Sequence, residues 1–529
     1  MTADDHASSR RRFLATTLGL GAVVAAGACQ GEGPSAPAAA APSAPPPMPP
    51  AVPPTAALPA GLDPAHFVLH GRSPLTLEAK RSAMGAGVIT PLSRFFVRNN
   101  LPMPDASITA DPDAWEVELA GVAKAQRLSV ARLKQLEWET VATVLQCSGN
   151  GRSFYAHGPS GSQWSTGAAG CAMWTGVPLR QVVEALGGVA PGAKFLTSTG
   201  GEVLPEGVEP LDVVVERSIP LEKALDDCLL AWEMNGEPIP ITHGGPLRLI
   251  VPGYFGCNQI KYVRRLAFTE VQTEAKIQKS GYRIRPIGEK GNPSQPSMWA
   301  MKVKSWVNGP GADDEPVLAG NVVFHGVAFA PGEPIEQVEC SLDDGATWSA
   351  ARLVGPDLGP YAWRQFVFRA PLTPGEHTIL SRARDASGAV QPEGRQENER
   401  GYGHNGWRDH ALTVSVVTAL PDRAAPPTAA TETAAAPAPT RTVELDAQGE
   451  RGKQALLAEA QPPCGTCHTL GDAGIQGAVG PNLDDLAPDA ARVEAALKNG
   501  VGVMPSYEGG LADDAIRDIA HYVEQATKR

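Results

Sequence analysis

Two short stretches combine residue types that do redox chemistry. In Cys464-Gly465-Thr466-Cys467-His468 two thiols stand three positions apart and a histidine follows directly. That spacing lets both thiols form thioethers to one haem while the imidazole reaches its iron, the attachment pattern of haem c. A redox dithiol or a zinc knuckle is the competing reading, but no second cysteine pair follows to build a zinc site, and an exported dithiol rarely carries the adjacent histidine. The second stretch is Thr143-Val144-Leu145-Gln146-Cys147-Ser148-Gly149-Asn150-Gly151-Arg152. It offers a soft thiolate suited to a metal, with an arginine fork suited to an oxyanion five residues later.

These side chains need rigid supports. The apolar run before Cys147 reads as a buried strand ending in a glycine-containing turn. Around it, Trp115-Glu116-Val117-Glu118-Leu119 alternates as a half-buried strand, and Phe195 to Ser198 reads as another. Ser129 to Leu136 and Leu179 to Leu186 read as short helices, so residues 62–296 form a mixed α+β domain. From 297 to 418 short β runs, such as Val303 to Val307 and Phe366 to Phe368, replace helical periodicity. With the hairpin signal Asp343-Asp344-Gly345 they predict an immunoglobulin-like β-sandwich. Residues 441–529 return to helix: Ile516, Ile519, Ala520 and Val523 share one apolar face, and Met504-Pro505 sits in a loop before it. The Ala/Pro-rich stretches 30–61 and 419–440 read as extended linkers.

The 529-residue chain has 43% hydrophobic residues, as a globular protein does, and a formal net charge of -12, which argues against nucleic acid as a partner. Ser9-Arg10-Arg11-Arg12-Phe13-Leu14 and the apolar stretch Ala15 to Ala28 resemble a twin-arginine export signal within residues 1–29. A periplasmic location follows from that expectation. Cys29 closes a degenerate lipoprotein box; lipidation, which would tether the protein to a membrane, and processing without it stay open. Cys171, Cys228, Cys257 and Cys340 read as buried free thiols.

The C-terminal module resembles a small class I cytochrome c. The resemblance makes His468 and Met504 the two haem iron ligands, Cys464 and Cys467 the haem attachment points, and Gly480-Pro481-Asn482-Leu483 a haem-packing loop. An electron carrier fused to a larger domain implies redox chemistry there. His243-Gly244-Gly245-Pro246-Leu247-Arg248 and Lys261 deliver basic side chains around glycine-rich turns, as a large phosphate-bearing cofactor requires.

Residues 85–410 resemble the sulfite oxidase family of molybdenum enzymes. The matching stretches are Phe95-Phe96-Val97-Arg98-Asn99, Cys147 to Arg152, Gln163-Trp164, Trp232 to Gly236, His243 to Arg248, Lys261, Ser341 to Trp348 and Arg400 to Trp407. The resemblance implies a molybdopterin-binding α+β domain followed by an immunoglobulin-like dimerisation domain, and hence a homodimer. It implies that Cys147 binds molybdenum, that Arg98 and Arg152 hold an oxyanion in a pocket lined by Trp164, and that Tyr282 is the active-site tyrosine. Asn99, Asn100, His243, Arg248 and Lys261 fall with the cofactor binders. Asn100 stands where the family usually has histidine. Glu333 falls where many members carry an arginine completing the anion pocket, which would place a carboxylate there. The expected activity is oxidation of sulfite to sulfate, with electrons leaving through the haem to a soluble cytochrome or other acceptor. Two alternatives stand beside it. One is a dehydrogenase or reductase of the same fold acting on another sulfur compound; the other is a non-catalytic, tethered electron-transfer protein.

Overall fold

A computed structural model describes residues 58–59, 61–85, 87–205, 207–421, 443–477, 480–501 and 504–528. The export signal, Cys29, most of the first linker and nearly all of the second lie outside the described residues. Among the described residues no helix is long and apolar enough to cross a membrane.

The α+β body is organised by one long hairpin. Strand Glu139–Gln146 pairs antiparallel with Ala169–Pro178 over its whole length, from Glu139 opposite Gly176 to Gln146 opposite Ala169. Val144, Leu145, Cys171, Ala172 and Trp174 are buried, so apolar side chains leave both faces of this pair for the core. Leu229–Met234, Glu237–Pro238 and Arg248–Ile250 complete the sheet. The chain leaves the hairpin at Cys147 and returns at Ala168, and the Cys147 N–H donates to the Ala168 carbonyl at 2.9 Å. The whole excursion carrying Cys147, Arg152 and Trp164 is thus pinned at its root. A second five-stranded sheet runs in the order Gln126–Ser129, Glu116–Ala120, Arg265–Thr269, Phe195–Thr199, Glu216–Pro220. A three-stranded sheet, Phe67–Arg72, Leu75–Ala79 and Val97–Arg98, delivers Arg98. Helices are short: Ser129 caps Val130–Leu133, and Leu179–Ala185 follows Pro178.

The β-sandwich has a four-stranded sheet, Lys304–Gly309, Gly320–Phe329, Arg364–Leu372 and Arg352–Val354. Its partner holds Val317–Leu318, Leu412–Val417, Gly375–Asp385, Ile335–Ser341 and Ser349–Ala350. Leu412, Val414 and Val416 are buried while Thr413 and Ser415 are exposed, as a half-buried strand requires. Phe324, Val338, Phe366 and Ile379 fill the space between sheets. Trp306, Val327, Phe329 and Trp363 instead join the core of the α+β body, which welds the two domains together. At the predicted turn, Asp344 and Gly345 both take positive φ, 56° and 86°, the pairing a tight hairpin turn favours.

In the C-terminal module Ala447–Ala458 packs on Asp513–Thr527 so closely that a Cβ on Gly452 would lie 1.9 Å from the Asp518 carbonyl oxygen. Ile516, Ile519, Ala520 and Val523 are all buried. Asp446 and Asp489 cap their helices by accepting from the Gly449 and Arg492 N–H groups, each at 2.7 Å. A two-stranded ribbon, Thr469–Leu470 with Ile475–Gln476, supplements the helices. All seven described cysteines are free, with Cys171, Cys228 and Cys340 buried and Cys257 half-buried.

Candidate active site and haem cleft

Arg98, Asn99, Asn100, Cys147, His243, Arg248, Lys261 and Tyr282 line one cleft of about 60 Å³. Cys147 emerges at the strand end as a half-buried free thiol. Its carbonyl accepts the Asn150 N–H at 3.0 Å, and Asn150 Oδ1 in turn accepts the Ala168 N–H at 3.1 Å. Gly151 turns the chain at φ 96°, where a Cβ would lie 2.5 Å from the His404 ring. The next residue, Arg152, therefore points inward.

One end of the cleft gathers His243, Arg248 and Lys261 against the single carboxyl of Glu202. Lys261 Nζ donates to Asn99 Oδ1 at 2.8 Å and to the Thr242 carbonyl at 2.6 Å. Arg248 Nη1 donates to the His243 carbonyl at 2.6 Å, while its Nε has no protein partner. Burial, helped by nearby Arg248, holds the Lys261 ammonium well below the usual lysine range. Burial with Lys261 and Arg248 does the same to His243, and burial lowers Arg248 to about 10. A bound phosphate would reverse this penalty, because an anion favours the charged form of each neighbour. Gln146 Oε1 and Gln259 Oε1 are also buried without protein partners around this site. Unpaired donors and acceptors beside a cation cluster and a thiol are what a pterin with a phosphate and a thiolate-bound metal would satisfy. The residues fit the molybdenum cofactor.

At the other end, Asn100 Oδ1 accepts from Arg98 Nη2 at 3.1 Å and from the Tyr282 hydroxyl at 3.4 Å. Tyr282 stacks on Tyr402 with ring centroids 5.3 Å apart, and burial pushes its phenol pKa up. It stays protonated, with its one proton directed at Asn100 Oδ1.

Two residues assigned to the pocket stand behind its lining. Arg152 is buried, donating from Nε to the Arg400 carbonyl and from Nη1 to the Ser162 carbonyl, both at 2.9 Å. Trp164 is fully buried against His70 and Phe96, because an indole gains more from apolar contact than from a wet wall; Phe96 takes the lining place. The expected carboxylate in the anion pocket is corrected. Glu333 is exposed in the loop after Gly320–Phe329 and does not line the cleft. A further arginine, Arg400, is buried beside Arg152 with its guanidinium 5.7 Å from the Tyr402 ring centre. Its position inside the matched Arg400 to Trp407 stretch was the available signal.

Sequence reasoning also missed Glu202 and Arg217. Glu202 lines the cleft, and burial, partly offset by Lys261, raises its carboxyl to about 7. Arg217 is buried under the Tyr282 ring at 5.5 Å, donating from Nη2 to Asn258 Oδ1 at 3.0 Å and from Nη1 to the Ile277 carbonyl at 3.1 Å. Nothing in the run Glu216–Pro220 marks it.

A second, largely apolar cleft of about 190 Å³ gathers Cys464, Cys467, His468 and Met504 among leucines and valines. His468 Nδ1 donates to the Pro481 carbonyl at 2.9 Å, which leaves Nε2 free for iron. Burial lowers its pKa and favours the neutral, ligating form. These residues fit a covalently held haem. The opposite wall of this cleft comes from the α+β body and includes His70, Thr76, Arg98 and Asn100. Arg98 and Asn100 thus line both clefts.

Residues 101–277 match the family described as oxidoreductase molybdopterin binding domain, and residues 295–415 the Mo-co oxidoreductase dimerisation domain. Residues 450–523 match cytochrome c oxidase, cbb3-type, subunit III. The mitochondrial sulfite oxidase of Homo sapiens is 32% identical over 368 residues, covering 66% of this chain and 66% of its own. The present chain therefore spans about two thirds of that relative. The sulfite oxidase of Gallus gallus is 31% identical over 354 residues, covering 63% of this chain and 75% of its own. Among solved structures, the sulfane dehydrogenase SoxCD from Paracoccus pantotrophus aligns with a TM-score of 0.55 at 26% identity, covering 65% of this chain and 88% of that one. With the cofactor cleft, the sandwich and the haem cleft in one polypeptide, the chain belongs to the sulfite oxidase family, as a molybdopterin-dependent oxidoreductase fused to a C-terminal cytochrome c domain.

Proposed function

We propose that this protein is an exported sulfite dehydrogenase that passes electrons through its own haem to a cytochrome or other acceptor. The observation that carries the reading is the shared wall: Arg98 and Asn100 belong at once to the cofactor cleft and to the haem cleft. The overall change is sulfite plus water to sulfate, two protons and two electrons. When bound, the molybdenum cofactor supplies oxygen-atom transfer and holds both electrons, and the haem relays them one at a time. Arg98 presents a guanidinium to the substrate dianion. Arg152 and Arg400, buried behind the lining, add positive potential in a low-dielectric setting. The Tyr282 hydroxyl donates to Asn100 Oδ1, which also accepts from Arg98, so Asn100 ties the tyrosine to the arginine that faces the substrate. Cys147 holds the metal from the pinned strand end.

Purified full chain, assayed for molybdenum and haem, is expected to reduce cytochrome c in a sulfite-dependent way; no such reduction sinks the proposal. The likeness to a sulfane dehydrogenase supports a second reading, in which another reduced sulfur compound is the substrate. Competition between sulfite and a sulfane donor separates the two. Export by the twin-arginine route would put the protein in the periplasm, free or tethered through Cys29; replacing Arg10 and Arg11 with lysine should retain it in the cytoplasm. The sandwich is the surface for a homodimer, which sedimentation would reveal.

A further inference from the structure

The loop that carries Met504 is held from outside its own module. Val501 and Met504 pair across a tight bridge, with the Met504 N–H donating to the Val501 carbonyl at 2.8 Å. Two carbonyls of this loop accept cationic donors from elsewhere in the chain. Lys276 Nζ donates to the Met504 carbonyl at 2.8 Å, and Arg400 Nη1 donates to the Gly500 carbonyl at 3.0 Å.

Both donors begin at the active site. Lys276 caps the π-helical turn Ile277–Gly281, whose other end delivers Tyr282. Such turns recur at functional sites. Arg400 offers its own carbonyl to Arg152 and lies over Tyr402, which stacks on Tyr282. The cytochrome module has a core of its own around Ile516, Ile519, Tyr522 and Val523.

We propose that Lys276 and Arg400 are positioning residues that latch the Met504 loop to the molybdopterin body, so that the haem accepts an electron more readily when docked than when released. This rests on the reading of Met504 as the haem's ligand. Two effects act together. A loop held at both carbonyls keeps the thioether sulfur in place, and a ligand's supporting hydrogen bonds tune its metal. A positive charge against the ligand's own residue also favours the haem state with one more electron. The electron comes from the molybdopterin side, one at a time, and leaves to the outside acceptor once the latch opens.

The test is the haem reduction equilibrium of the full chain carrying both cofactors, titrated spectroscopically at low salt. Lys276→Met should lower it several-fold, tenfold being about 59 mV for a one-electron couple, and Lys276→Arg should restore most of the loss. An unchanged equilibrium in Lys276→Met overturns the proposal. Lys290→Glu gives an independent arm, since Lys290 pairs with Glu508 across the same seam at 2.8 Å and is exposed. It should shift docking toward release by about fivefold, seen as a larger mean radius in scattering, and lower the equilibrium in proportion; a larger released share with the equilibrium unchanged also overturns the latch, whereas a share and an equilibrium that both stay fixed fit a seam held by the carbonyl contacts. Met504→Ala separates the underlying reading. It should change the haem spectrum, and an unchanged spectrum removes Met504 as ligand and the latch with it, while leaving sulfite turnover to be judged by its own assay.

Discussion

Cys147 and Lys304 show how differently one buried side chain can matter. Replacing Cys147 with serine removes the soft ligand but leaves the haem cleft untouched. Turnover should vanish while the haem spectrum persists, and retained turnover would refute the role given to Cys147. Lys304 lies fully buried between the two larger domains, its ammonium without a protein hydrogen-bond partner, and burial lowers it to about 7 from an ordinary 10.5. The unfolded chain therefore binds more protons than the folded one between those values. Stability should rise with pH across that window, and the penalty should be fully present below it. Lys304→Met is expected to raise the thermal midpoint at neutral pH and flatten its pH dependence; an unchanged profile would show that the ammonium is solvated. At this scale the sequence was most legible where residues sit in motifs. Cys147, His243, Arg248 and Lys261, picked out from separate motifs, line one cleft. Glu333 went wrong because a loop between strands has no periodicity to anchor an alignment, and Arg217 was invisible because its partners come from three distant segments.

Among the elements, the loops decide more than the strands and helices. The strand Glu139–Gln146 was readable from its apolar run, though its partner Ala169–Pro178 was not, and the apolar face of Asp513–Thr527 was readable too. What could not be read is how closely turns approach the side chains they seat. A Cβ on Gly480 would lie 2.5 Å from His468 Cε1. Gly480→Ala should push the imidazole off its Pro481 bond and cut the haem-to-protein ratio measured in purified material. A normal ratio with an unchanged spectrum would mean that the loop shifts freely.

For the whole molecule, the sequence indicated three folded parts and two linkers, but not how the cytochrome module meets the rest. That meeting depends on Lys276, Arg400 and Arg492, none of which belongs to a haem motif. The exposed pair Lys290–Glu508 contributes at most about 1 kcal/mol, roughly fivefold in the docking equilibrium. Raising salt from low to physiological strength should therefore slow electron transfer to the haem, followed after flash reduction, by no more than about fivefold. A much steeper fall would show that surface charge rather than the carbonyl contacts holds the seam. Those contacts carry a consequence for how the fusion can diversify. Arg400, Lys276 and Arg492 all end on main-chain oxygens, of Gly500, Met504 and Gly161. Every residue type offers the same carbonyl, so the seam reads the contour of a loop and not its letters. Apart from these three donors and side-chain pairs such as Lys290–Glu508, the facing surfaces are free to drift, whereas the bend at Gly500, with φ 67°, is not.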